Sequence, residues 1–135
     1  MKNNHSFSIE NATNPNTNSP FGSKYTGTFN IRRPSIGDKH SITIKKAATL
    51  SAYGFANLDM IPVGIQLNVY IFCFVATISK DLPPWFDPDK LYDENDQAAI
   101  ETVWQEVSRW LDTFRPDADT SPREPTSRDF TVLVP

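Results

Sequence analysis

The sequence predicts a mainly α fold: a three-helix core with a short N-terminal β-strand or hairpin and extended N- and C-terminal arms. Two observations carry this expectation. Nearly all the large apolar residues fall between Tyr25 and Arg115, whereas Met1–Ser23 and Pro116–Pro135 are polar and punctuated by proline. Within the middle, apolar residues recur mostly at three- and four-residue steps, the period of a helix with one face turned inward. The expected organisation is therefore a disordered or extended N-terminal arm over 1–23, a helical domain over 24–115 and an extended C-terminal arm over 116–135. A chain of 135 residues has room for one domain.

Asn, Ser, Thr and Pro dominate Met1–Ser23, and only Phe7, Ile9 and Phe21 offer apolar area against the entropy of ordering. From Tyr25 to Arg33 the period changes to two. Tyr25, Gly27, Phe29 and Ile31 alternate with Thr26, Thr28, Asn30 and Arg32, the pattern of a half-buried strand. Pro34 ends it. Ser35-Ile36-Gly37-Asp38 has capping-box spacing and starts a helix running to about Tyr53, with Gly54 as a left-handed cap. Its inward face is expected to carry Ile36, His40, Thr43 or Ile44, Ala47 and Leu50; Ile42 and Ile44 on alternate positions also permit a strand.

Asp59 can cap a second helix with Pro62 in its first turn, running to about Ser79 and apolar almost all round, as a central helix covered on several sides would be. Three prolines make Leu82-Pro83-Pro84-Trp85-Phe86-Asp87-Pro88 a loop, in which Trp85 and Phe86 are expected to fold back over the core. The third helix is the clearest. Ala99, Val103, Trp104, Val107, Trp110 or Leu111 and Phe114 share one face from about Glu94 to Phe114, and Arg115-Pro116 stops it. Asp117–Arg128 then reads as a charged linker leading to the apolar run Asp129-Phe130-Thr131-Val132-Leu133-Val134, which could add a strand to a sheet edge on this molecule or another.

The formal charge of -3 points neither to a nucleic acid nor to an anionic membrane as partner. It conceals an asymmetry: Lys24–Lys46 holds six Lys and Arg against Asp38, and Asp81–Glu106 holds eight Asp and Glu against Lys90. Opposed patches of this kind either steer a partner, stack copies head to tail, or are simply solvated faces. Val63–Ile78 falls short of the roughly 20 apolar residues that a membrane span needs, and no membrane partner is expected. Met1–Ser23 lacks the apolar stretch of a secretory signal, and the single Cys73, set in an apolar run, suits a reducing compartment and buried packing.

Residues for chemistry do not assemble in the sequence. His5, His40 and Cys73 have no zinc spacing, and Asp87–Asp93 begins like a calcium loop but places Leu91 and Tyr92 where a ligand and a glycine are needed. No base is positioned beside a Ser or Cys nucleophile, and the glycines are scattered singly, leaving no phosphate-cradling loop. Arg32-Arg33-Pro34 beside a helix start offers contact to phosphate or to an acidic protein surface, but aromatic residues do not interleave with the basic ones as single-strand binders require. No enzyme activity, cofactor, metal or nucleic acid is expected.

The run Gly27-Thr28-Phe29-Asn30-Ile31-Arg32-Arg33-Pro34-Ser35-Ile36-Gly37-Asp38, followed by an alanine-bearing helix, an apolar helix, the Pro-Trp-Phe-Asp loop and a helix closing on Thr113-Phe114-Arg115, resembles small tail-assembly chaperone-like proteins of long-tailed bacteriophages. The resemblance covers about Gly27 to Arg115. It implies a noncatalytic helper that engages the tape-measure protein and tail-tube subunits in the host cytoplasm during assembly. The alternative is a structural virion protein of tail, neck or capsid surface, whose arms dock on neighbouring subunits; a homo-oligomer is compatible with either. The residues expected to meet a partner are Arg32 and Arg33 for polar contact, Trp85 and Phe86 for apolar contact, and Phe130, Val132 and Val134 as a docking arm.

Overall fold

The computed structural model describes residues 3–54 and 57–115. Among them are four strands, β1 (Asn4–Phe7), β2 (Thr13–Asn14), β3 (Ser19–Pro20) and β4 (Phe29–Arg32), and three α-helices, α1 (Ile36–Ala52), α2 (Val63–Ile78) and α3 (Glu94–Asp112). Single 3-10 turns occupy Ser23–Tyr25, Leu58–Met60 and Pro88–Lys90. The mainly α class with a small N-terminal β element is as the sequence predicts. The C-terminal arm, with Phe130, Val132 and Val134, lies outside the described residues.

The strand expected over Tyr25–Arg33 is shorter, but its inward face is right: Phe29 and Ile31 are buried while Asn30 and Arg32 are exposed. It does not stand alone. β1 pairs with it antiparallel, from Asn4 opposite Arg32 to Phe7 opposite Phe29. At its other edge Ile31 bridges to Ser79, and the Lys80 amide donates to the Asn30 carbonyl at 2.9 Å, so the chain leaving α2 extends the sheet.

Residues 3–23 correct the expectation of a disordered or extended arm. Ile9 is only 2% exposed within the main core, and Phe7 stacks on Phe29 with ring centroids 4.9 Å apart. β2 and β3 form a hairpin around Asn14, whose side chain accepts from the Asn16 amide at 2.8 Å, with Asn18 in the left-handed region at φ 58°. Asn16 Nδ2 ties this hairpin to the start of α3 through the Glu94 carbonyl at 3.1 Å. Polar composition misled here, because few apolar residues suffice when each is wholly buried and the turns are closed by Asn side chains.

α1 begins as the sequence dictates. Ser35 Oγ accepts from the Asp38 amide, the Asp38 carboxylate accepts from the Ser35 amide, and Gly54 follows the helix at φ 88°. Its orientation differs from the expectation. Leu50 is buried as expected, but Ile42 is buried too, whereas Ile36 is 72% and Ile44 68% exposed, with His40 and Ala47 exposed on the same side. Positions 42 and 44 lie about 200° apart around a helix of 3.6 residues per turn, so this segment carries two apolar stripes on opposite sides. Only the stripe of Ile42 and Leu50 faces α2.

α2 starts at Val63 behind Pro62, and Asp59 belongs to the 3-10 turn before it rather than capping it. It packs against α1 on one side and α3 on another, with Ile71, Val75 and Ile78 buried between them. It is not covered all round: Val63, Leu67 and Ala76 remain exposed. α3 begins at the capping box of Asp93 and Asp96 and turns Ala99, Ile100, Val103 and Val107 inward, close to the predicted face.

Trp85 and Phe86 fold back over the core, as the loop reading expects, rather than facing a partner. Both are buried, meeting Phe29 edge-to-face at 5.7 and 5.3 Å, and they offer no surface to a partner. The proline-rich loop is held over the core by Gly27, whose φ of +133° leaves no room for a side chain: a Cβ there would lie 2.8 Å from Pro83 Cβ.

Candidate functional site

The three helices leave a gap. α2 forms the floor of an open groove of about 550 Å³, with Ile65, Val69, Phe72, Cys73 and Ala76 spaced along it at three- and four-residue steps. Lys45, Thr49 and Tyr53, one helical turn apart on α1, make one wall. Leu91, Tyr92 and Asp93, with Gln97 and Ile100 of α3, make the other.

The groove's polar groups are largely engaged with one another. Asn68 and Gln97 exchange reciprocal amide hydrogen bonds of 3.0 and 2.9 Å between α2 and α3, and Lys45 Nζ donates to Thr77 Oγ1 at 3.2 Å. Burial pushes the Cys73 thiol up from its ordinary pKa, against the Thr49 hydrogen bond and the charges of Lys45 and Lys46. A thiol so placed is a packing residue rather than a nucleophile. What remains open along the floor is apolar, and Tyr92 stands 87% exposed on the rim.

Asp96 holds the acidic wall in place. The residue is 1% exposed, and its Oδ1 accepts from Lys24 Nζ and Tyr25 Oη while Oδ2 accepts from the Tyr92 and Asp93 amides. Burial alone raises the carboxyl pKa, but the Lys24 and Tyr25 hydrogen bonds and those two amides outweigh it, and the group sits well below the usual carboxylate range. Tyr25 responds in kind: burial, then its bond to this carboxylate, raises its phenol. The turn carrying Tyr92 is thereby fixed to the 3-10 turn at Ser23–Tyr25.

The sequence-predicted contact residues do not converge here. Arg32 and Arg33 are exposed beside the start of α1 and share no lining residue with the groove. Arg32 is committed to Asp38, with Nη2 to Oδ1 at 2.8 Å, and that guanidinium, together with the Ser35 amide, brings the Asp38 carboxyl down to about 2. Arg33 lies over the Phe114 ring at 4.5 Å and clamps the end of α3 to the strand. Sequence reasoning missed the groove. Its signal was the surplus of apolar residues on α2, more than two neighbouring helices can cover.

Among the described residues no three His, Cys, Asp or Glu side chains are grouped to hold a metal ion, and no helix is long and apolar enough to cross a membrane. No protein-family profile, curated protein or solved structure matches this chain.

Proposed function

We propose that this chain is a noncatalytic binding protein of bacteriophage morphogenesis, chaperone-like in tail assembly, that holds an amphipathic helical segment of a tail protein in the α2 groove. The observation that carries the reading is the groove itself: an open apolar floor with helical spacing between α1 on one side and the Leu91–Asp93 turn with α3 on the other, the shape into which a fourth helix lays its i, i+3, i+4 and i+7 side chains. Two or three Leu- or Ile-sized anchors seated there contribute about 1.5–3 kcal/mol each before the costs of ordering. Set against those costs, the net is a weak and transient contact. The bacteriophage setting comes from the resemblance over Gly27–Arg115, and with it the tape-measure and tail-tube proteins as partners in the host cytoplasm.

Quantitative mass spectrometry of purified particles beside infected-cell extract tests the setting. The reading expects the chain in the extract, associated with a tail subunit, and absent from finished particles. A fixed stoichiometry within particles would replace it by the structural virion role. Failure to associate with any tail subunit in either fraction would remove the bacteriophage assignment.

A further inference from the structure

The groove and the outward stripe of α1 are apolar surfaces that the helices leave unpaired, and they match in length. From Ile36 through His40 and Ile44 to Ala47 the stripe is exposed, and it spans eleven helical steps, about 17 Å. The groove floor from Ile65 to Ala76 spans the same eleven steps, about 17 Å. Charge matches as well. Exposed Lys39 borders the stripe, whereas Asp93 lines the groove and exposed Asp89 and Glu94 lie next to it along the chain.

One copy cannot satisfy itself, because α1 already forms a wall of its own groove with its opposite face on α2. We propose that the outward face of α1 in one copy seats in the α2 groove of a second copy, so that the free protein associates head to tail. The contact joins two different surfaces, and each added copy still presents one stripe and one groove. Association therefore continues until a ring closes or a partner helix takes the groove. The proposal rests on the groove being a helix-accepting site, and it names the occupant when no tail protein is present. Self-association then competes with partner binding.

The test uses the full chain and two exposed substitutions, Ile44→Asp on the stripe and Ala76→Arg on the groove floor, followed by sedimentation velocity across a concentration series at low and high salt. Wild type is expected to sediment well above its monomer mass of 15.2 kDa, with association weakening as salt screens the Lys–Asp contacts. Each variant alone is expected to lose at least about tenfold in association constant, equivalent to about 1.4 kcal/mol. Circular dichroism spectra superimposable on wild type would show that both still fold.

The discriminating sample is their mixture. Ile44→Asp keeps an intact groove and Ala76→Arg an intact stripe, so together they form a one-to-one dimer that grows no further. Wild type that stays monomeric throughout, oligomers that survive in either variant, or a mixture that remains monomeric would each overturn the proposal. If wild type is monomeric and a tail-protein helix still slows alkylation of Cys73, the groove reading stands and only self-docking fails. If neither occurs, both fall.

Discussion

Replacing Asp96 should remove more stability than any change at the surface, and the size of the loss follows from what the carboxylate accepts. In Asp96→Ala the buried Tyr25 hydroxyl loses its acceptor, which costs about 1–3 kcal/mol. The Tyr92 and Asp93 amides lose theirs at about 0.5–1.5 kcal/mol each, with water partly replacing the carboxylate. Lys24 is half exposed and regains hydration, so little is added for it. The total, about 2–6 kcal/mol, is centred on about 4 kcal/mol, the usual loss on breaking a buried pair. Interpolated to this chain length it corresponds to a fall of about 10–20 °C in Tm.

Asp96→Asn keeps one acceptor oxygen and should cost about half as much. Urea unfolding at neutral pH followed by far-ultraviolet circular dichroism measures both. The pH dependence gives an independent check. A carboxyl whose pKa falls on folding stabilises the fold above its unfolded value, about 3.9, and loses that contribution as pH drops through the folded one. Wild type should therefore weaken progressively below about pH 4. Asp96→Asn should weaken less, retaining the portion due to Asp38, which is held at about 2. An Asp96→Ala protein within about 0.5 kcal/mol of wild type would refute the reasoning, since that is the range of ordinary surface changes.

Two further predictions concern the N-terminal segment. Ile9→Ala should destabilise by about 2–4 kcal/mol in the same urea assay, because the side chain is wholly buried in the main core; a negligible effect would return residues 3–23 to the status of a detachable arm. Gly27→Ala should cost about 1–3 kcal/mol, through the positive φ and the 2.8 Å approach to Pro83, and should raise the solvent exposure of Trp85, read as a red shift and quenching of tryptophan emission.

What the sequence made legible was mostly local. The Ser35–Asp38 capping box, the Gly54 cap, the proline-broken loop and the inward face of α3 follow from contacts within a few residues, and each stands as expected. The failures are tertiary. β1 finds its partner β4 more than twenty residues on, and no short-range pattern in Asn4–Phe7 announces that pairing. On α1 the expected inward face held Ile44 and Leu50 and left out Ile42, and burial of Ile42 rather than Ile44 was settled by how α1 meets α2. Trp85 and Phe86, expected to lid the core and found there, were also offered as contact residues because large aromatics suit both cores and interfaces. The candidate groove is the negative of three packed helices, so its position could only be read once α1 and α3 were placed on α2.

The central claim is that the α2 groove, and not the arginine pair or the aromatic loop, is the working surface. Co-expression of the chain with tape-measure and tail-tube subunits, followed by co-purification, tests it directly when wild type, Ala76→Arg and Arg33→Ala are run side by side. The account predicts that wild type and Arg33→Ala retain the tail subunit while Ala76→Arg, folded as judged by its Tm, loses it. Equal retention by Ala76→Arg and wild type would contradict it.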